Sequence, residues 1–556
     1  MPIRRSGSRA PRCSRGRAVA AALALACAFG CTPPGPDPYL AELAKSSGLG
    51  PPPPDRSNAV YTSTRAAALG KRFYFDPYFA GPSNGLDMLL RPQRGAPRAP
   101  LGAPAQVSCN TCHDVARGGG DSSLEDRDVE VSLGAGAYDV NGQQTFNSAY
   151  LDLLYWNGRN DSLWSQIFAV VESHVSVGGN RMRVAWRILD RYRAEYEAVF
   201  PRHPLPPELD AIAAQRARLA PDGSCLLVEG QCPAPACHTT YGPCLPRFPL
   251  DGRPGFVLPG ELPVCTWGSK EEILQPYGDA WDCMRLEDQL LMTQVFVNFA
   301  KAIAAYERTL ISEDSDFDRW VTSGFEPGII SPLAEEGARL FVGKAACSSC
   351  HAGPVFTDQR FHNVGAPQVG PHVPQTVDCP PGSWCDCVTD DRFDPTNCLP
   401  IGARDGLRKL QASRFRRDSV WSDDVECRRK FTLHVDPNYA ATHPDECDGR
   451  VKYYSMPLDD ALRGAWRTPG LRDVSKTAPY MHNGMYRTLR EVVEHYNRLP
   501  RPAPSAELNG RPEAQLAPLH LSAYEIDALV AFLETLDGRP DPGVIAAPDV
   551  PPPSDF

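Results

Sequence analysis

Past its N-terminal segment the 556-residue chain has no apolar run long enough to cross a bilayer as a helix. It also lacks a positive excess. Lys and Arg number 57 against 67 Asp and Glu, a formal net charge of -10, so nothing is expected to neutralise clustered phosphates and nucleic acid is not an expected partner. An acidic surface would suit a small basic electron carrier. What remains is an ordinary globular composition, 42% hydrophobic and 22% charged. The chain is too long for one core, so two domains with insertions are expected.

The N-terminus has the layout of a secretory signal. Arg4, Arg5, Arg9, Arg12, Arg15 and Arg17 precede the apolar run AVAAALALACAFG, which ends at Cys31 and the Pro-rich CTPPGPDP. Residues 1–31 are therefore read as an export signal, and the mature protein as periplasmic or otherwise outside the cytoplasm. Ala28, Phe29 and Gly30 before Cys31 approximate a lipobox. Two outcomes stay open there: a lipid-modified Cys31 anchoring the chain to a membrane face, or a plain cleavable signal with an incidental cysteine.

Nineteen cysteines then sort by place. Cys13, Cys27 and Cys31 belong to the signal, and four more fall in two short motifs. The others form two groups of six: Cys225, Cys232, Cys237, Cys244, Cys265 and Cys283, then Cys379, Cys385, Cys387, Cys398, Cys427 and Cys447. Even counts in Pro-rich stretches of an exported chain read as disulfides stapling two loop-rich insertions, whose connectivity the sequence does not encode.

The two motifs are Cys109-Asn-Thr-Cys112-His113 and Cys347-Ser-Ser-Cys350-His351. Both have the CxxCH form of c-type haem attachment. Two thiols at this spacing reach the two vinyl groups on one porphyrin edge, and the histidine that follows swings under the ring to bind iron. A closed zinc site would need a second Cys/His pair at each place, and none is supplied. CPAPACH, from Cys232 to His238, has four residues between its cysteines and is read as disulfide material. The flanks are helical in pattern. Apolar residues recur at helical spacing over Leu291–Ile311, LAEEGARLFVGKAAC leads into Cys347, and a helix with a capping box at Ser522 and Glu525 runs toward a stop at Gly538.

By these motifs and the segments around them, the chain resembles the diheme bacterial cytochrome c peroxidase and MauG-like family. GKRFYFDPYFAG, NGQQTFNSAYLDLLYWNGRNDSLWSQ, GPVFTDQRFHNVG and WRTPGLRDVSKTAPYMHNGMYRTLREVVEHYN are similar to the family's successive landmarks, in order. The resemblance implies a mainly α fold of two tandem cytochrome c-like haem domains. The N-terminal, peroxidatic one would occupy 40–325 with an insertion at about 204–285. The C-terminal, electron-transfer one would occupy 326–545 with an insertion at about 366–452.

Several roles follow by resemblance. Trp156 in YWNGR matches the tryptophan between the haems, its alternative being a core aromatic; Trp164 is read as packing. Asn141, Thr477 and Pro479 match an inter-domain calcium site, for which oxygen-only donors are suited; as bare residues, Thr477 and Pro479 are equally ordinary turn formers. His482 matches a histidine that hydrogen-bonds a haem propionate. Fourteen residues beyond it, where peroxidases of the family carry methionine as the second haem's sixth ligand, stands Tyr496, as in the MauG-like branch. Leu489, Val492, Val493 and Tyr496 share one helix face. His495, Met481, Met485 and Met456 are the alternative ligands.

The peroxide pocket departs from the pattern. Gln166 matches the distal glutamine, but the distal glutamate position is Ser176, which cannot act as a base near neutral pH unaided. His174 and Glu172 are the nearby substitutes. The expected function is a peroxide-using diheme oxidoreductase, with electrons from a small exported cytochrome or cupredoxin or from an oxidised protein side chain. A non-catalytic electron-transfer cytochrome is the alternative; a structural disulfide-rich surface protein would leave both haem motifs unexplained. Mass spectrometry of protein matured in a cytochrome c-competent host should show two covalent haems, and Cys350→Ala should impair attachment at the second motif; a mature mass without haem would contradict the reading.

Overall fold

The computed structural model describes residues 37–81, 104–121, 132–135, 140–173, 176–210, 248–249, 252, 281, 284–366, 402–429, 442–443, 445–499 and 510–554, with the backbone of short strands at 237–238, 245–246, 388–389 and 392–393. The signal expected at 1–31, His174 and most cysteines of both expected insertions lie outside the described residues. Among the described residues the fold is mainly helical, as expected.

The first core forms around a long central helix. Helix α1 (Thr64–Phe75) starts at Ser63, α2 (Leu163–Val171) at Ser162 and α3 (Arg181–Arg191) at Asn180; each of these side chains accepts an amide of the first turn and satisfies one orphan donor. Helix α4 spans Leu286–Glu307 rather than the expected Leu291–Ile311. Beyond Met292 nearly all its side chains are buried, polar Asn298, Lys301 and Glu307 included. A helix buried all round is a core helix, and α1, α2 and α3 pack against it. Its apolar periodicity ran on past Glu307 because Leu310 also enters the core, now from a turn.

A second core gathers Phe317, Phe341, Phe356 and Phe532. Its helices are α5 (Pro332–Val342), capped by Ser331, α7 (Leu489–Arg498), opened by a capping box of Thr488 and Glu491, and α8 (Ala523–Glu534), opened by the predicted box of Ser522 and Glu525. Helix α8 ends before the predicted Gly538, whose amide instead donates to Asp473. Between α5 and α7 in the chain, helix α6 (Ala403–Ala412) belongs to the region after the second motif. A short antiparallel pair, β1 (Phe361–His362) with β2 (Trp466–Arg467), sets Phe361 opposite Arg467 and His362 opposite Trp466.

The described part of residues 402–429 packs on the first core. Phe415 stacks on Phe168 of α2 at 3.7 Å between ring centroids, and Lys301 of α4 donates to the Trp421 carbonyl and Asp423, both at 2.8 Å. Arg417 reaches Asp55 at 3.1 Å and Asp448 at 2.8 Å and donates to the Asp161 carbonyl, while Tyr454 donates to the Asp161 carboxylate at 2.6 Å. Buried charges tolerate this setting only because each has partners. Cys427 and Cys447, two of the second six, are disulfide-bonded.

In both cores a glycine permits close helix crossing. A Cβ at Gly70 would lie 1.8 Å from the Ala302 carbonyl oxygen, and one at Gly337 would lie 1.9 Å from that of Ala528. Backbone cannot yield as a side-chain tip can. Gly337→Ala should therefore force α5 and α8 apart and lower stability by about 1–3 kcal/mol, despite alanine's better helix propensity; thermal unfolding monitored by circular dichroism measures the loss.

Candidate functional site

A cavity of about 410 Å³ is lined by both motifs: Cys109, Cys112 and His113 from one half, Cys347, Cys350 and His351 from the other. Residues 109–112 form one helical turn, and 347–349 a tighter one, so that each histidine amide donates back to the first cysteine's carbonyl, at 3.0 Å for His113 and 2.9 Å for His351. None of the four cysteines is disulfide-bonded. Tyr74 of α1 donates to the His113 carbonyl at 2.9 Å. The His351 Nδ1 is 3.1 Å from the Phe356 carbonyl, an arrangement that places the proton on Nδ1 and leaves Nε2 to bind a metal.

The wall shared by the two motifs is built on Asn141. Its amide donates to the His482 carbonyl at 2.7 Å, its carbonyl accepts the Trp156 indole N–H at 2.8 Å, and its side-chain amide donates to the Pro479 carbonyl. Trp156 lines the cavity, follows Tyr155 in the left-handed region at φ 66°, and accepts the Arg467 amide at its carbonyl at 2.8 Å. Asn141, Thr477 and Pro479 thus all line one cavity. The Thr477 hydroxyl donates locally to the Val474 carbonyl. Trp164 lies away from the cavity, fully buried, donating to the Ser57 hydroxyl.

Tyr496 lines the cavity beside Cys347 and Cys350; burial, first of all, raises its phenol pKa. Leu489, Val492 and Val493 line it with Tyr496, as the helix-face reading expected. The rival His495 is held elsewhere: Nδ1 accepts from Tyr486 at 2.8 Å and Nε2 faces the Val364 carbonyl at 2.9 Å. Met456 packs in a separate cluster with Leu407 and Tyr453. Met481 alone of the alternative methionines borders the cavity.

On the other side, Gln166 of α2 lines the cavity, and its amide donates to the Glu307 carboxylate at 3.1 Å. Tyr155 donates to the Gln166 carbonyl at 3.0 Å. Ser176 also lines the cavity. Glu172 does not: both its oxygens are taken by Arg181, at 3.0 and 3.2 Å, in a buried pair. Glu172 is thereby removed as a substitute base, and His174 lies outside the described residues.

Sequence reasoning missed three cavity-lining groups. Glu307 ends a long apolar helix, and a lone carboxylate at the end of AKAIAAYE was the available signal. Burial raises its pKa to about 8, against the opposing hydrogen bond from Gln166. His362 is clamped between Asp358, at 2.8 Å, and Glu513. The Asp358 contact, first of all, raises its pKa to about 11. Nothing in the spacing of RFHNVG marked it. Arg467 is buried, its hydrogen-bond partners among the described residues are the neutral oxygens Tyr155 O, Thr468 O and Gln143 Oε1, and burial lowers it to about 10.

These features fit a large, anionic, thiol-attached group at each motif. The thiols are not in disulfides, and among the described residues the buried His482 Nε2 and Trp466 Nε1, both on cavity-lining residues, lack partners. His482 stacks on Trp466 at 4.1 Å, and burial lowers its pKa to about 3, so it offers a neutral ring. Arg467 supplies a positive charge of the kind carboxylates require, on a guanidinium that hydrogen-bonds to neutral oxygens.

Comparison with known proteins agrees. The family described as di-haem cytochrome c peroxidase matches residues 97–221. Cytochrome-c peroxidase IdrP1 of Denitromonas iodatirespirans is 26% identical over 517 residues, covering 92% of each chain. IdrP2 of Pseudomonas sp. (strain SCT) is 30% identical over 314 residues, covering 53% of this chain and 67% of the relative. Methylamine utilization protein MauG of Paracoccus denitrificans is 41% identical over 265 residues, covering 43% and 51%. With two attachment motifs opening on one cavity, the chain belongs to the diheme cytochrome c peroxidase and MauG-like family. It is a peroxidase-type oxidoreductase whose cofactor is haem c.

The Glu172–Arg181 pair gives a test of its own. Glu172→Ala would leave a buried guanidinium without its carboxylate and should cost about 3–5 kcal/mol, read as a shift of the denaturant midpoint. A loss below about 1 kcal/mol would show the pair to be dispensable.

Proposed function

We propose that the protein is an exported diheme enzyme that reduces hydrogen peroxide at the His113 site and routes electrons through the His351 site, with 40–325 and 326–545 as its two haem domains. The observation that carries this is the single cavity bordered by both CxxCH motifs, Trp156 and Tyr496. Bound haem c would supply iron that takes peroxide and exchanges electrons.

The chain's own residues do the rest. Cys109 and Cys112 would hold the edge of one haem and Cys347 and Cys350 that of the other, with His113 and His351 as the protein ligands of the two irons. Trp156 sits in the shared wall, its indole fixed by Asn141, and offers an aromatic relay between the two sites. The Gln166 side chain is held at the peroxide side by its amide donating to Glu307 and by its oxygen accepting from Tyr155 at 3.4 Å. Arg467 and His482 would neutralise and hydrogen-bond propionates. The Asn141 side chain and the Pro479 carbonyl already touch, and turning the amide over would present two oxygens to a calcium ion, with the Thr477 carbonyl as a third.

Tyr496 would bind the iron of the second haem, in the MauG-like manner. An anionic oxygen donor stabilises higher oxidation states and lowers the reduction potential, where a thioether does the reverse. The reductant is a small exported cytochrome or cupredoxin, or a protein side chain that is itself oxidised.

Tyr496→Met should raise the potential of that haem and make it reducible by mild reductants, and Tyr496→Phe should vacate the position or admit a new ligand. Spectroelectrochemical titration of both variants tests this. An unchanged spectrum and potential in both would make Tyr496 a packing residue and Met481 the next candidate.

A further inference from the structure

The peroxide side of the cavity has lost its expected carboxylate to Ser176, yet it is not without one. Among the described cavity-lining residues two carboxyl groups occur, Glu307 and Glu513. Glu513 is bound to His362, near the second motif. Glu307 comes from α4, is buried, and is bonded to the amide of Gln166. It also lies close enough to Cys109 to act on that thiol electrostatically, which places it beside the first motif.

We infer that Glu307 is the proton carrier of the peroxide pocket, reached from a different element than the one on which the family pattern puts it. This rests on the proposed peroxide chemistry at the His113 site. The Glu307 carboxylate takes the proton from one peroxide oxygen and returns it to the other as the O–O bond breaks, so that oxygen leaves as water. The remaining oxygen is reduced to water with two protons and the two electrons that the peroxidase reaction draws from its donor. The Gln166 amide reaches both carboxylate oxygens, at 3.1 and 3.5 Å, and fixes the carboxyl at the cavity wall, while each oxygen keeps further acceptor capacity.

The surroundings suit a group that gains and loses a proton near neutrality. Burial is what moves Glu307 to about 8, and the hydrogen bond from Gln166 only partly opposes it. The titratable groups that face it are the Tyr74 phenol from α1, Tyr306 on its own helix, Tyr61 from the segment before α1, and Cys109 from the first motif. Burial holds all four above their ordinary values, hence neutral, and Cys109 would be consumed by thioether formation. From α2 it meets the uncharged Gln166, and the charged Glu172 and Arg181 satisfy each other. The neighbouring Arg308 turns instead over the Tyr61 ring. Below about pH 8 the carboxyl is mostly protonated and cannot accept a proton; above it the base is present. Reaction with peroxide should therefore accelerate with rising pH and level off beyond that value.

The test uses the full-length diferric holoprotein and Glu307→Gln, whose side-chain carbonyl can still accept from Gln166. Two measurements are made: the second-order rate of the optical change on mixing with hydrogen peroxide from pH 5.5 to 9.5, and the infrared band of a protonated carboxylic acid over the same range without peroxide. The expected result is a wild-type rate rising through about pH 8, a high-pH rate about 10²- to 10⁴-fold lower and flat in the variant, and a carboxyl band that titrates in the wild type and is missing from the variant. A variant with the wild-type rate and pH profile overturns the inference, leaving Glu307 as a prop for Gln166. So does the absence of any carboxyl band that the substitution removes. Wild-type protein inert to peroxide at every pH would instead overturn the peroxide reading itself, and this inference with it.

Discussion

Asn141 is the point on which the centre of the molecule depends. One buried residue uses its amide, its carbonyl and its side chain to join the His482 strap, the Trp156 indole and the Pro479 carbonyl. A buried backbone group without a partner is costly, so these three bonds satisfy each other only in one relative placement of the two halves. The placement of Trp156 follows from that, and so does the closing of the cavity between the motifs. The Arg467 amide, bonded to the Trp156 carbonyl, repeats the tie from β2.

Burial sorts the ionisable groups around this seam. The same loss of water that raises Glu307 lowers His482 and Arg467. Where a partner of opposite charge is at hand, as for Glu172 with Arg181, the group's oxygens are occupied by that partner. Where none is, the group is left ready for a ligand or a proton. The distinction separates structural from functional side chains here better than their position in the chain does.

The haem motifs, the mainly helical fold, the Ser522 capping box and the common face of Leu489, Val493 and Tyr496 were legible because each is a local pattern with a fixed period or spacing. Helix ends were less so: Leu310 continues the apolar rhythm of α4 although the chain has already turned. The acid-base groups were hardest. Glu172 was near in sequence to Gln166 but is committed to Arg181, whereas Glu307 stands 141 residues away from Gln166 and touches it. Contact between distant elements leaves no spacing to read. The same holds for His362, whose two carboxylate neighbours come from four and 151 positions away.

The packing of Phe415 and Arg417 behind α2 carries a consequence for biosynthesis. The helix that presents Gln166 is backed by residues that follow it by about 250 positions, and Asp161 just before it gains its Arg417 and Tyr454 partners from equally far along the chain. As a chain emerges from its N-terminus, Cys109 and Cys112 are available long before that backing exists. The first attachment site must accordingly pass through a stage in which its thiols are exposed and its far wall is unfinished. That stage leaves them open to the attachment machinery, and equally open to mispairing with the cysteines that emerge next.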